Sequence, residues 1–301
     1  MIWKINQKDI SKHLLSVLIN GVVMKKLKVA LQLYSVREEM QKDMDNALKT
    51  IKEIGYDYVE FAGYFGYTAQ EIRKLLDKYE LKCISVHQGY EAFLQNEEES
   101  IEFLQIIGAK YCAIPWMDKH KHKGTDSYDL TIEEIKKVGK ALKEAGIMLL
   151  YHNHDFEFEC FENKLLLDWL YESVTTDLLQ TEIDTCWVHY AGFDPSEYIE
   201  KYTGRSPVVH LKDYVCKNKN EGTIYALIDN GGKDIKKSMK EENDFRFKPV
   251  GYGVQDIPKI LKASEKAGSE YVVVEQDSSL DCTPMQAAKM SRDYLKGLGI
   301  F

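Results

Sequence analysis

Short, continuously apolar runs recur along the chain, and six of them end in a carboxylate or an imidazole. They are Tyr58-Val-Glu60, Ile84-Ser-Val-His87, Leu149-Leu-Tyr-His152, Glu182-Ile-Asp184, Pro207-Val-Val-His210 and Tyr271-Val-Val-Val-Glu275. Runs that do not alternate with polar residues are expected of strands covered on both faces in a parallel sheet. Between them, apolar residues at helical spacing predict helices over 44–54, 68–79, 97–107, 131–145 and 257–267. Gly55, Gly108, Gly146 and Gly268 close four of these helices just before a β-rich run. Glycine belongs there because a helix C-terminus commonly needs a left-handed residue. Strands are predicted near 28–34, 57–62, 82–87, 110–115, 147–153, 180–184, 207–212 and 270–275. Eight βα units at this spacing predict a single-domain (β/α)8 barrel, with its active site at the C-terminal ends of the strands. An open doubly wound sheet fits less well, since no G-x-G-x-x-G turn follows the first strand.

Composition narrows the partners. The 301 residues carry a net charge of −8, which argues against nucleic acid, whose phosphates need a basic surface. No stretch approaches the roughly 20 apolar residues of a membrane span. The six cysteines show no C-x-x-C spacing, so neither a disulfide framework nor a zinc-cysteine site is expected. A reducing cytoplasm suits that pattern. Residues 1–23 are mildly amphipathic and precede a natural-looking start at Met24, so they are expected to lie outside the fold; a short packed helix is the alternative. The polar stretch from Lys217 to Lys248 interrupts the rhythm after the seventh strand. It is either a cover for the site or a solvated insertion.

The strand ends carry the chemistry. Asp184, His210 and Glu275 are the strongest metal-ligand candidates, because three unpaired ionisable groups in register would be costly to bury. Mixed carboxylate and imidazole ligation suits one divalent Mn, Zn, Co or Fe, with Mg admissible, better than Ca. His152 is the first choice for a fourth ligand. Glu157, farther into the loop, can swing back as that ligand or as an acid/base. His154 lies on the same side as His152 if the chain stays extended, and orients a ligand or touches substrate. Lys212 can neutralise an oxyanion, and Asp213 can accept from a hydroxyl. Gln32, Glu60 and His87 end the first three strands and are expected to line the opposite wall for a polyhydroxylated ligand. Tyr34, Phe61, Trp116 and Trp187 are candidate apolar walls. There is no G-x-S-x-G elbow, Walker A loop or H-E-x-x-H.

An ordered set of motifs carries a resemblance running from about Met24 onward. It comprises Ala30-Leu-Gln-Leu-Tyr-Ser-Val-Arg37, Gly55-Tyr-Asp-Tyr-Val-Glu60, Tyr151-His-Asn-His154, Ile183-Asp184, Val209-His-Leu-Lys-Asp213, Pro249-Val-Gly-Tyr-Gly-Val254 and Val274-Glu-Gln-Asp277. In these the chain resembles the sugar phosphate isomerase/epimerase family of xylose-isomerase-like barrels, which includes inosose dehydratases and ketose epimerases. The resemblance implies one divalent metal on a Glu, Asp, His and Glu set, the last three falling on Asp184, His210 and Glu275. The first departs from the pattern: His152 replaces that Glu, or Glu157 reaches in instead. It further implies proton transfer next to a carbonyl of a sugar or cyclitol, with Glu275, or Glu157 from the opposite side, as base. Isomerisation, epimerisation and dehydration share the resulting enediolate. Barrels of this kind often associate, so a homo-oligomer is compatible with the sequence. The rivals are phosphodiester hydrolysis, disfavoured by the acidic charge, and a carbohydrate-binding barrel without turnover.

Overall fold

In the computed structural model, which describes residues 27–217 and 244–300, eight parallel strands close on themselves. They are β1 (Lys28–Gln32), β2 (Tyr58–Ala62), β3 (Lys82–His87), β4 (Tyr111–Ile114), β5 (Met148–His152), β6 (Gln180–Asp184), β7 (Val208–Leu211) and β8 (Tyr271–Val274). Each pairs with its sequence neighbour, and β8 closes onto β1 with Lys28 opposite Tyr271 and Leu31 opposite Val274. The predicted (β/α)8 barrel is the observed fold. The expectation for residues 1–23 lies outside the described residues, as does most of the 217–248 insertion.

Local signals explain most helix boundaries. Met44–Ile54 is capped by Asp43, whose side chain accepts from the Asn46 amide, and stops at Gly55 with φ 107°. Thr68 and Glu71 form a reciprocal capping box ahead of Ala69–Lys78. Two predicted edges shift by more than one residue. β1 ends at Gln32, because its side chain accepts from the Tyr34 amide and turns Leu33–Val36 into a 3-10 helix. The helix predicted over 131–145 begins earlier, spanning Tyr128–Glu144. Among the described residues no helix is long and apolar enough to cross a membrane.

Period-two alternation sorts the strand residues into two cores. Outward-facing residues such as Leu149, Tyr151, Ile183, Val209, Val272 and Val274 pack against the helices. Inward, Ala30, Ile84, Tyr111, Ala113, Leu150, Val208, Tyr271 and Val273 fill the barrel with an apolar plug. Below it, Glu270 pairs with Lys28 (2.9 Å) and Lys110, sealing the N-terminal end. Above it, the same inward parity leads to His152, Glu182 and Asp184, His210 and Lys212, and Glu275. The fold therefore delivers charged side chains to one end of a closed, water-poor cylinder.

Candidate metal centre and active-site cavity

The strand ends meet in two tiers. In the upper tier, one donor atom each from His152, Asp184, His210 and Glu275 lies within 4.8 Å of the others, and all four residues are buried. His152 Nε2 is 3.5 Å from Asp184 Oδ2, and His210 Nδ1 is 3.0 Å from Glu275 Oε2. Asp184 is held by the element it starts: its Oδ1 accepts from the Cys186 and Trp187 amides at the N-terminus of helix Thr185–Tyr190. That cap leaves Oδ2 buried and facing the site, 3.0 Å from Lys212 Nζ. Asn153 clasps the next strand, accepting from the Asp184 amide at 3.0 Å.

The lower tier is one pleat step deeper. Glu182 Oε1 sits 2.6 Å from His87 Nε2, 3.1 Å from His152 Nδ1 and 3.1 Å from His210 Nε2. Glu60 Oε1 is 2.8 Å from His210 Nε2, 3.2 Å from His87 Nε2 and 2.7 Å from the Gln32 amide nitrogen that donates to it. His87, His152, Glu182 and His210 form a second group with donor atoms within 4.8 Å of one another.

Charge follows from this packing. Burial pushes the Glu60 carboxyl up, yet the His210 and His87 imidazoles outweigh it and hold the group well below the usual carboxylate range. Burial opposes charge on His87, but Glu60 and Glu182 lift it to about 10. For His210 the same carboxylates overcome burial and raise it well above the ordinary value. His152 and His154 go the other way. Burial holds both well below the usual imidazole range, reinforced by His210 and His87 at His152 and by Lys212 at His154. Neutral imidazole is the form that binds a metal.

Lys212 lies among three carboxylates, with Nζ at 3.0 Å from Asp184 Oδ2, 2.9 Å from Glu275 Oε2 and 3.1 Å from Asp277 Oδ1. Its ammonium also stands over the Trp187 and Phe247 rings at 5.3 and 5.8 Å. Burial raises Asp184 although Lys212 opposes it, whereas Lys212 and His210 together pull Glu275 below the carboxylate range despite burial. The two carboxylates part company because Glu275 also receives the His210 ring, while Asp184 feels the charge of Glu275.

A cavity of about 450 Å³ opens above this floor. Tyr34, His87, His152, His154, Lys212 and Glu275 reach it, as expected from the sequence. Trp116 forms a partly exposed wall, whereas Trp187 and Phe61 are fully buried. Three expectations are corrected. Gln32 and Glu60 do not line the opposite wall; both are fully buried in the lower tier, bonded to each other. Asp213 is not at the mouth: having the outward parity next to inward Lys212, it accepts from the Tyr214, Gly251, Gly253 and Gln255 amides. Glu157 does not swing back over the site. Its carboxylate accepts from the Tyr151 hydroxyl at 2.5 Å and the His154 amide at 2.7 Å.

Sequence reasoning passed over Glu182, Asp277, Arg37 and Phe247. Glu182 and Asp277 had a signal, since each is two residues from a chosen ligand and so shares its face. Arg37 lies in the helix after β1, its Nη1 donating to the Tyr34 and Asp277 carbonyls and its guanidinium stacked 4.2 Å from the Tyr34 ring centroid. Phe247 comes from strand Arg246–Lys248, which pairs antiparallel with Asp213–Val215 outside the barrel, and nothing in the sequence marked it.

The upper tier has the chemistry of a divalent-cation site. A tetrahedral ion at about 2.1 Å from N and O ligands sets those ligands about 3.4 Å apart, close to the 3.0 and 3.5 Å found. Known proteins supply the context. The xylose isomerase-like TIM barrel family model matches residues 48–298. An inosose dehydratase of Geobacillus kaustophilus is 25% identical over 286 residues, covering 84% of this chain and 87% of that protein. A sugar phosphate isomerase/epimerase from Parabacteroides distasonis superposes with a TM-score of 0.72 at 21% identity, covering 93% of this chain and 97% of that one. A structure of IOLI protein with a binding zinc atom superposes at 0.67 with 15% identity, covering 91% and 98%. At such identities the superpositions speak for the fold, and the curated relatives include several inosose dehydratases.

Proposed function

Since the chain belongs to the xylose isomerase-like TIM-barrel family, we propose that it is a divalent-metal-dependent enzyme that moves a proton next to the carbonyl of a sugar or inosose, isomerising or epimerising it through an enediolate. The observation that carries this reading is the convergence of His152, Asp184, His210 and Glu275 on the floor of a cavity of substrate size. These four would hold one Mn, Zn, Co or Fe ion, which polarises a bound carbonyl and makes the neighbouring C–H more acidic.

The chain's own residues do the rest. Glu275, kept ionised by Lys212 and His210, takes the proton and returns it at the neighbouring carbon for isomerisation, whereas epimerisation draws the returning proton from a donor on the opposite face of the enediolate. Lys212 offers its ammonium to the oxygen on which charge develops. His154 and Tyr34 contact the polyhydroxylated substrate, and Trp116 covers its apolar face. A second reading uses the same groups: loss of a β-hydroxyl from an inosose, favoured by the inosose dehydratase relatives that match most of this chain.

The test is metal content followed by a screen of keto-sugars and inososes in D₂O by NMR. About one metal per chain and deuterium incorporated next to a carbonyl are expected; an unsaturated product marks the dehydratase. Metal-free protein that stays inert after reconstitution would sink the reading. Glu275→Gln should keep the fold and abolish deuterium incorporation, a drop of about 10³-fold or more.

A further inference from the structure

Each of two imidazoles spans both tiers. His152 turns Nε2 to Asp184 in the upper tier and Nδ1 to Glu182 in the lower; His210 turns Nδ1 to Glu275 above and Nε2 to Glu60 and Glu182 below. A neutral imidazole has one lone pair and one N–H. If the upper nitrogens are to bind an ion, the lower ones must carry the hydrogens. If the hydrogens sit above, neither ring can ligate. Buried N–H groups need acceptors, and only carboxylate oxygens stand at the lower nitrogens: Glu182 Oε1 at 3.1 Å from both rings and Glu60 Oε1 at 2.8 Å from His210.

We propose that Glu182, backed by Glu60, is a positioning residue that fixes the tautomers of His152 and His210, so that the ion sits in the upper tier and the lower tier holds none. The inference rests on the metal reading above. A lower-tier ion on His87, His152, Glu182 and His210 is the competing arrangement. It would take the lower nitrogen of each bridging ring and leave Asp184 and Glu275 to Lys212 and to the upper N–H groups of those rings. His87 completes the lower tier as a donor to both glutamates, at 2.6 and 3.2 Å. The ligands of a metal are commonly oriented in this way by carboxylates behind them, and losing such a carboxylate costs about 10–100-fold in affinity.

The experiment is Co(II) titration of the full chain, followed by visible absorption, for wild type, E182Q, E60Q and H87Q. Thermal unfolding of each metal-free protein checks that it is folded, and E60Q keeps the question answerable if E182Q does not fold. Expected are a Co(II) affinity about 10–100-fold weaker in E182Q, a smaller loss in E60Q, and saturated spectra for all three variants that match wild type. Affinities within twofold of wild type would overturn the proposal. So would a changed band pattern in saturated E182Q or H87Q, which would make those residues ligands. Wild-type protein that takes up no Co(II) would fail the metal reading itself, a result distinct from either of these.

Discussion

At the scale of single residues, direction decides role. Glu157 is five positions past His152, within reach of the cavity by length, yet its partner Tyr151 has outward parity and belongs to the shell between strands and helices. The carboxylate is therefore drawn behind the barrel wall. Burial there raises it to about 8, despite the bonds from Tyr151 and His154. An unfolded glutamate titrates near ~4.3, so the folded state holds a proton that the unfolded state releases between about pH 4.3 and 8. Wild-type stability from this group is greatest below that window, falls as pH rises through it and levels off above. E157Q cannot ionise. Its unfolding free energy relative to wild type should rise from pH 5 to pH 8, by up to about 1.4 kcal/mol per pH unit. Calorimetry at the two pH values checks it; a pH-independent difference would refute it.

At the scale of elements, the sequence spoke clearly wherever one local rule was sufficient. Met44–Ile54, Glu97–Ile107 and Ile257–Ala267 coincide with their predicted spans because an amphipathic stripe ends in a left-handed glycine. The short helix Thr185–Tyr190 escaped notice, since five of its six residues are buried and no polar stripe is left to read. The loop after the Arg246–Lys248 hairpin strand is held by Asp213, which gathers the amides of Gly251, Gly253 and Gln255. A Cβ at Gly253 would strike Asp213 Oδ1 and the Tyr214 carbonyl. Gly253→Ala is expected to destabilise by about 2 kcal/mol, and Asp213→Asn by a similar amount, about 2 kcal/mol, as charge-assisted bonds are lost. Urea unfolding measures both. Because this clasp also seats Phe247 against Lys212, weaker substrate binding should accompany the loss.

For the whole molecule, the apolar plug separates two charged ends with different tasks. Glu270 with Lys28 and Lys110 closes the bottom, and the two tiers occupy the top. Glu270→Gln should lower stability by about 1 kcal/mol, its pairs being partly exposed, while leaving metal affinity unchanged. An ion that binds only the folded barrel adds about 2.7 kcal/mol at a concentration one hundred times Kd. Saturating Mn, Zn or Co should thus raise the melting temperature by about 5 °C, and a chelator should reverse the gain. No shift with any of these ions would contradict a site in the upper tier.

Periodicity and chain rhythm determined the barrel, its eight strands and the end at which chemistry gathers, because those depend on neighbours in sequence. They also marked His152, Asp184, His210 and Glu275, each at the last inward step of its strand or just past its end. Only the closed barrel decided which of the remaining polar groups meet. Glu60 and Glu182 lie on strands far apart in sequence, yet closure brings both beneath the His210 imidazole. The turning away of Glu157 and Asp213 was likewise tertiary, since it depends on which backbone amides and hydroxyls wait on the far side of the wall. The pleat fixes a side chain's face, and only the packed molecule supplies its partner.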